Sequence, residues 1–211
     1  NETMRLQVAF DLLSLEEVLA LLEEVHDLVD IVEIGTPLIL KEGLKAVTKI
    51  KECYPDQVVL ADLKIMDAGA LEAEIGFDAG ADMITVLGLA SRTTKSAAKS
   101  TAEQHGGKIV VDLINHPHPV QEWEELRKIG MDFCCIHTAH DDAQQHNTPL
   151  ETLENFHKVH GGSRVAVAGG VKPSLIREMK SFPPEIVVVG SYITGAEDAR
   201  EAVQKIRKAM D

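Results

Sequence analysis

The chain has 211 residues, and its 21 Lys and Arg against 34 Asp and Glu give a formal net charge of −13. Hydrophobic residues make up 45% and aromatic residues 4%, so we expect a globular protein with an aliphatic core that needs no disulfide or metal for stability. The acidic balance argues against nucleic-acid or anionic membrane partners, since both select positively charged proteins.

The cysteines and the apolar stretches indicate the compartment. Cys53, Cys134 and Cys135 are odd in number and two are adjacent, which does not suit a disulfide framework and favours a reducing environment. No apolar stretch reaches the roughly 18 residues of a membrane-spanning helix. We therefore expect a cytoplasmic protein without a membrane partner.

Eight short apolar runs recur along the chain at intervals of roughly 25 residues, the length of one strand–helix unit. The runs are Leu6–Phe10, Asp30–Ile34, Val58–Leu63, Met83–Leu87, Ile109–Ile114, Phe133–His137, Val165–Ala168 and Ile186–Val189. They are continuously apolar rather than alternating, as is typical of strands buried on both faces of a parallel sheet.

Amphipathic segments between the runs predict helices, the first of them with Ser14 as its N-cap. The segments are Leu15–Val25, Leu44–Cys53, Ala70–Ala79, Trp123–Ile129 and Glu197–Met210. Eight such units predict an α/β fold, a (β/α)8 TIM barrel that forms a single domain over residues 1–211. A doubly wound open sheet is the alternative.

Polar residues at the strand ends indicate an active site, because barrel enzymes place their catalytic groups at the C-terminal ends of the strands. Five runs contain or end in an acidic residue or a histidine, namely Asp11, Glu33, Asp62, Asp112 and His137. Charge in a buried strand is costly unless it is paired or binds a metal. The convergence of five such residues is therefore hard to explain by structure alone.

The motif Asp62-x-Lys64-x-x-Asp67 is the most specific pattern. Residues i and i+2 of a strand point the same way, so Asp62 and Lys64 are predicted to share the barrel mouth, with Asp67 in the following loop. A lysine between carboxylates stays cationic and can stabilise an oxyanion or deliver a proton. A surface ion pair at a strand end is the structural alternative.

Glu33 and Asp62 end neighbouring strands and predict a Mg²⁺ site completed by water and substrate oxygens. The alternative is an ion pair of one carboxylate with Lys64 and no metal. Gly169-Gly170 and Gly190-Ser191 follow runs seven and eight, where barrels often bind phosphate through backbone N–H groups. Tight turns without a ligand are the alternative for these glycines.

His137 is placed to act as an acid, a base or a carbonyl-polarising group. The pairs His137/His140 and His116/His118 have spacings that zinc could use, but no cysteine pair joins either, which argues against zinc. Cys134 and Cys135 lie within a strand and are interpreted as packing residues.

Two segments carry a family resemblance, Val32-Glu-Ile-Gly-Thr-Pro37 and Ala61-Asp-Leu-Lys-Ile-Met-Asp-Ala-Gly69. They resemble the 3-hexulose-6-phosphate synthase family of the orotidine-monophosphate-decarboxylase suprafamily, and the likeness extends over essentially the whole chain from Arg5. The resemblance implies a (β/α)8 homodimer, a sugar-phosphate substrate and Mg²⁺ at Glu33 and Asp62. It also implies that Asp67 reaches the site of the neighbouring subunit.

The same resemblance implies a reaction and a set of residue roles. Formaldehyde is joined to C1 of ribulose 5-phosphate, or released from the product, through an enediolate. His137 is the expected base, and Lys64 is expected to stabilise the enediolate or to donate a proton to the new hydroxyl. Asp67 is expected to hold Lys64, and Asp11 to bind a substrate hydroxyl. The residues expected to hold the phosphate are Gly170, Gly190 and Ser191.

Two other functions stay open. A sister family, the 3-keto-L-gulonate-6-phosphate decarboxylases, usually has an arginine-rich stretch where this chain has Thr138-Ala139-His140, and an Arg where it has Ser191-Tyr192. A carboxylate-bearing substrate gains from such cations, so their absence favours the synthase. A barrel that binds a sugar phosphate without catalysis is the third possibility, and the intact acidic and lysine motif argues against it.

Overall fold

The computed structural model describes residues 4–11, 13–143 and 148–211. Within these ranges eight parallel strands close into a barrel in chain order, with the last strand beside the first. The strands are β1 (Arg5–Phe10), β2 (Ile31–Ile34), β3 (Val58–Ile65), β4 (Met83–Leu87), β5 (Lys108–Asp112), β6 (Phe133–His137), β7 (Val165–Ala168) and β8 (Ile186–Val189). The predicted (β/α)8 barrel is confirmed.

Helices follow the strands and cover the outside of the barrel. They are α1 (Leu15–Val25), α2 (Thr36–Glu42), α3 (Lys45–Cys53), α4 (Gly69–Asp78), α5 (Arg92–His105), α6 (Pro119–Lys128), α7 (His140–Ala143), α8 (Leu150–His160), α9 (Pro173–Met179), α10 (Ser191–Thr194) and α11 (Ala199–Met210), with a 3-10 turn at His26–Leu28. No helix in the described ranges is long and apolar enough to cross a membrane.

The observed helix ends agree only in part with those predicted from the sequence. Ser14 caps α1 as predicted, and it forms a reciprocal capping box with Glu17. The segment predicted as one helix over Leu44–Cys53 begins one residue later, at Lys45, and α2 lies just before it. The two helices are separated at Gly43, whose φ of +74° is a conformation that glycine adopts without strain.

The barrel interior and the helix–sheet layer form two separate cores. Side chains at alternate strand positions fill the barrel with small and aliphatic groups, while the other positions pack under the helices. The interior residues are Ala9, Ile31, Leu60, Met83, Val110, Cys135, Ala166, Ala168, Ile186 and Val188. Glu33, Asp62 and Asp112 continue this inward series toward the C-terminal ends of their strands.

A ring of carboxylates holds the opposite, N-terminal end of the barrel. One acidic residue directly precedes each even-numbered strand, and these are Asp30, Asp82, Asp132 and Glu185. Each accepts a hydrogen bond from a backbone N–H near the start of the preceding odd-numbered strand. The donors are Leu6, Val59 and Ile109 within β1, β3 and β5, and Arg164 directly before β7. Each also pairs with a cation, in order Arg207, Lys51, Lys99 and Arg5. This end therefore serves stability and leaves the other free for chemistry.

Candidate active site

Lys64 lies among carboxylates at the C-terminal mouth of the barrel. Its Nζ donates to Asp62 Oδ2 at 2.5 Å, lies 3.4 Å from Thr36 Oγ1 and is 3.8 Å from Asp112 Oδ2. Partial burial works to lower the pKa of Lys64, but the pairing with Asp62 and the nearby charge of Asp112 outweigh it and raise the pKa above its ordinary value. The ammonium therefore stays charged at neutral pH.

Lys64 reaches this position through an irregular strand rather than through strand periodicity. The β3–β4 register shifts between Ala61 and Ile65, and Lys64 has a φ of +47°. The prediction that Asp62 and Lys64 share the barrel mouth holds, but its reason, a regular i, i+2 strand, was wrong. The bulge turns the Lys64 backbone and lets its amine meet the Asp62 carboxylate.

Asp112 and His137 form a second pair across β5 and β6. Nδ1 of His137 is 3.1 Å from both Asp112 carboxylate oxygens, and Oδ1 also accepts from the Ile114 N–H at 3.0 Å. Burial works to raise the pKa of Asp112, yet the bond to His137 and the charge of Lys64 hold it below its ordinary value. An ionised carboxylate only accepts hydrogen bonds, so Nδ1 carries the proton and Nε2 is the basic nitrogen.

The surroundings of Glu33 disfavour the charged form of its carboxyl group. Burial raises its pKa well above the ordinary value, the charges of Asp62 and Asp11 raise it further, and the bond from Gln7 Nε2 to its Oε1, at 2.6 Å, opposes them. Burial and Asp62 also raise the pKa of Asp11. A cation bound between these mutually repelling carboxylates would stabilise their charged forms.

This donor set fits a Mg²⁺ ion, which prefers carboxylate oxygens and keeps several waters. Glu33 and Asp62 would be the protein ligands. Among the described residues, a group of three His, Cys, Asp or Glu side chains with ligand atoms within 4.8 Å of one another lies away from the barrel mouth, on exposed Glu74, Asp78 and His105. Within the described part of the chain, the barrel mouth brings fewer such atoms this close together. A metal at the barrel mouth would therefore be coordinated by few protein oxygens, and water or substrate would supply its remaining ligands.

Gly35 makes room for Asp11 at the end of β2. A Cβ on this residue would lie 1.7 Å from Asp11 Oδ1 and 2.8 Å from the Phe10 carbonyl oxygen. Any side chain at residue 35 would therefore displace the Asp11 carboxylate, so the glycine in the sequence Ile34-Gly35-Thr36 is a requirement of the site.

The glycines after β7 and β8 follow two strands that are paired with each other. Gly169 and Gly170 have φ values of +103° and +66°, and a Cβ on Gly169 would be 2.3 Å from the Thr138 carbonyl oxygen. Gly190 precedes the short helix α10, which begins at Ser191. A Cβ on Gly190 would have its nearest neighbour at 3.8 Å, so open space adjoins this backbone.

Asp67 lies outside the cluster formed by the single chain. It is exposed, and its Oδ1 accepts a hydrogen bond from the Ala68 N–H at 2.8 Å. Among the described residues, the ion pairs of Lys64 are with Asp62 and Asp112 and not with Asp67. The expected contact between Asp67 and Lys64 is thus not formed within this chain.

Several residues of the site had no role predicted from the sequence, among them Gln7, Thr85 and Asp112. Asp112 stood out as a strand-end carboxylate, but the sequence did not indicate its bond to His137. Gln7 and Thr85 are buried polar residues at inward positions of apolar strands, and this position is the feature that could have identified them.

Comparisons with known proteins agree with the barrel fold. The family model of the orotidine 5′-phosphate decarboxylase / HUMPS family matches residues 4–206. A 3-hexulose-6-phosphate synthase from Staphylococcus epidermidis is 41% identical over 208 residues, 99% of either chain. The crystal structure of 3-hexulose-6-phosphate synthase from Salmonella typhimurium has a TM-score of 0.94 at 38% identity and covers 98% of both chains. That of 3-keto-L-gulonate-6-phosphate decarboxylase from Vibrio cholerae has a TM-score of 0.84 at 26% identity, over 99% of this chain and 98% of that one.

Proposed function

Since the chain belongs to the orotidine 5′-phosphate decarboxylase / HUMPS family, we propose that it is a carbon–carbon lyase that joins formaldehyde to C1 of ribulose 5-phosphate. The product is 3-hexulose 6-phosphate, and the same site catalyses the reverse cleavage. The proposal depends most on the position of the Lys64 ammonium. It contacts Asp62, which together with Glu33 suits a metal ion, and it lies near Asp112, which is paired with His137. Such a site can both remove a proton and stabilise the charge that results.

Proton removal is the task of His137. Its Nε2 takes a proton from C1 of ribulose 5-phosphate, and the C–H electron pair forms a C1=C2 bond while the C2 carbonyl oxygen becomes negative. Asp112 holds the Nδ1–H and stabilises the imidazolium, because a buried anion lies 3.1 Å from that nitrogen. General base catalysis of this kind contributes about 10²–10⁴-fold to a rate.

Bond formation follows from the enediolate. C1 attacks the carbon of formaldehyde, the C2 carbonyl re-forms, and the formaldehyde oxygen takes up a proton to become a hydroxymethyl group. Lys64, whose ammonium lies among the carboxylates of the site, would stabilise the negative charge of these oxygens or supply that proton. Its raised pKa favours the ammonium form that both tasks need.

Glu33 and Asp62 would hold Mg²⁺ in this scheme. When bound, the ion supplies positive charge that stabilises negative charge developing on the substrate oxygens. Asp11, beside Glu33 and Asp62, would accept a hydrogen bond from a substrate hydroxyl. Gly170, Gly190 and Ser191 would bind the phosphate through backbone N–H groups, because the open space at Gly190 adjoins the start of a helix.

A homodimer would complete the site with Asp67 from the neighbouring subunit. Support comes from apolar side chains exposed near this residue, since Met66 is 53% and Leu71 63% exposed, and Ile75 lies one helical turn beyond Leu71 on α4. Apolar residues grouped in this way are typical of a surface that another protein covers. A cytoplasmic location remains a prediction from the cysteines.

The assay is formaldehyde loss in a mixture of the purified protein, Mg²⁺, ribulose 5-phosphate and formaldehyde, with and without EDTA. We expect loss that depends on both substrates, that EDTA abolishes, and that the Lys64→Ala variant lacks while keeping its fold. Unchanged turnover in that variant would contradict the assignment. Release of CO2 from 3-keto-L-gulonate 6-phosphate without formaldehyde loss would identify the decarboxylase instead. Saturable sugar-phosphate binding without turnover would indicate a binding protein.

A further inference from the structure

Thr85 is a buried hydroxyl that the reaction scheme does not use. It lies at the centre of β4 between apolar neighbours and is 6% exposed. Its register places it beside the bulge of β3, where the regular strand pairing is interrupted between Ala61 and Ile65. A polar side chain at such a position needs partners, because an unpaired buried hydroxyl is costly.

Both hydrogen-bonding functions of the Thr85 hydroxyl are used within the site. Oγ1 accepts from the backbone N–H of Lys64 at 2.9 Å and donates to Asp62 Oδ1 at 2.7 Å. The hydroxyl therefore replaces the strand partner that the Lys64 backbone loses in the bulge. It also fixes one oxygen of Asp62, so that the other, Oδ2, faces the Lys64 amine.

The Lys64 backbone needs such support. Its φ of +47° lies in the left-handed region, which costs a non-glycine residue roughly 1–3 kcal/mol unless the surroundings enforce it. A hydroxyl group can donate and accept at once, which neither a carboxylate nor an aliphatic side chain can do. Threonine thus meets two demands with one atom, and serine offers the same atom without the methyl group.

We propose that Thr85 is a positioning residue, which holds the Lys64 backbone in its left-handed conformation and the Asp62 carboxylate in the orientation that presents the Lys64 ammonium to the substrate. The inference rests on the proposed function for its catalytic consequence. Its structural content, that Thr85 sets the Lys64–Asp62 pair, stands on the two hydrogen bonds and the bulge. The alternative is that Thr85 only packs in the core, and that its two hydrogen bonds do no more than pair its own buried hydroxyl.

The test compares Thr85→Val, which keeps the shape and removes the hydroxyl, with Thr85→Ser, which keeps the hydroxyl. Thr85→Ala is the second hydroxyl-free variant should the valine chain fail to fold. Thr101→Val is the matched control, since Thr101 is another buried threonine, on α5 away from the strand ends. For Thr85→Val we expect a 10–100-fold lower kcat, the usual loss for a residue that orients a functional group. KM should change little, and Thr85→Ser should restore most of kcat.

A readout without substrate separates this inference from the proposed function. The backbone N–H of Lys64, which donates to Thr85 Oγ1 at 2.9 Å, is followed by hydrogen exchange in ¹⁵N-labelled protein at a fixed pH, and its protection from exchange should be lost in Thr85→Val. It should be restored in Thr85→Ser and unchanged in Thr101→Val. A wild-type protein that does not consume formaldehyde would refute the proposed function, while the exchange of the Lys64 N–H would still decide on Thr85.

Two outcomes would overturn the inference. One is a Thr85→Val protein, or Thr85→Ala in its place, in which the Lys64 N–H keeps its wild-type protection from exchange and, in an active enzyme, kcat keeps its wild-type value. The other is a Thr85→Ser protein as impaired as Thr85→Val, because the methyl group rather than the hydroxyl would then be what matters.

Discussion

Replacement of Asp112 by Asn isolates the contribution of the carboxylate to the base His137. Oδ1 of Asp112 accepts from the Ile114 N–H, so the amide oxygen of Asn takes that place and its NH2 group faces His137 and Lys64. The amide then donates to Nδ1 of His137. This favours the tautomer whose Nε2 carries a hydrogen and cannot act as a base.

The expected loss follows from the geometry. A negative charge 3.1 Å from the imidazolium is worth about 5 kcal/mol at an effective dielectric constant of about 20. That energy corresponds to about 10⁴-fold in rate. Because His137 is partly exposed and water screens the pair, we expect kcat to fall by about 10²–10⁴-fold.

The assay is steady-state formaldehyde consumption at saturating ribulose 5-phosphate, with Asp132→Asn as the control. Asp132 belongs to the carboxylate ring at the other end of the barrel, where it accepts from the Ile109 N–H and pairs with Lys99. That variant should lose about 1–3 kcal/mol of stability and keep its kcat. An Asp112→Asn protein within about threefold of wild-type kcat would refute the assignment of His137 as a base oriented by Asp112.

Three further predictions concern stability and substrate binding. Because Glu33 has a raised pKa in the folded protein, the metal-free protein loses stability as pH rises from the ordinary carboxyl pKa through the raised one. Glu33→Gln should weaken this pH dependence, leaving the part due to Asp11, whose pKa is also raised, and should raise Tm at neutral pH by roughly 2–4 °C. An unchanged melting curve in EDTA would count against it. Glu122→Gln leaves the buried ammonium of Lys95 without its counter-charge, so the free energy of unfolding from chemical denaturation should fall by about 3–5 kcal/mol. The control Glu201→Gln, at an exposed position, should lower it by under about 1 kcal/mol. Equal losses in the two variants would contradict this prediction. Gly35→Ala must displace the carboxylate beside it, so kcat/KM should fall by up to about 10²-fold, and wild-type kinetics would show that this carboxylate does not contact substrate.

The strand pattern could be predicted well, because buried parallel strands are continuous apolar runs. The bounds of β4, β6, β7 and β8 are the predicted ones. Predicted run five extends beyond the observed strand, since β5 ends at Asp112. The Leu113 N–H still donates to the Cys135 carbonyl of β6, but the next N–H, of Ile114, turns back to the Asp112 carboxylate. α2 was missed because its apolar residues follow Pro37 in a stretch that also suits a loop.

The site was predictable in its residue types and less so in its geometry. The rule that barrel strands end at the active site identified Asp62, Lys64 and His137 from their positions alone. The bulge that turns Lys64 depends on pairing with β4, which lies more than 20 positions along the chain at Thr85. Tertiary hydrogen bonds of this kind leave no local pattern, so neither the left-handed backbone nor the Asp112–His137 bond could be predicted.

The most direct test of the central claim is hydrogen exchange at C1 of ribulose 5-phosphate in D2O, followed by proton NMR without formaldehyde. Proton removal at C1 is the step that this cluster of side chains is proposed to catalyse, and the measurement needs no second substrate. The wild-type protein with Mg²⁺ should introduce deuterium at C1, and His137→Asn should slow the exchange by about 10²–10⁴-fold. Formaldehyde consumption without C1 exchange, or exchange at the wild-type rate in His137→Asn, would contradict the account.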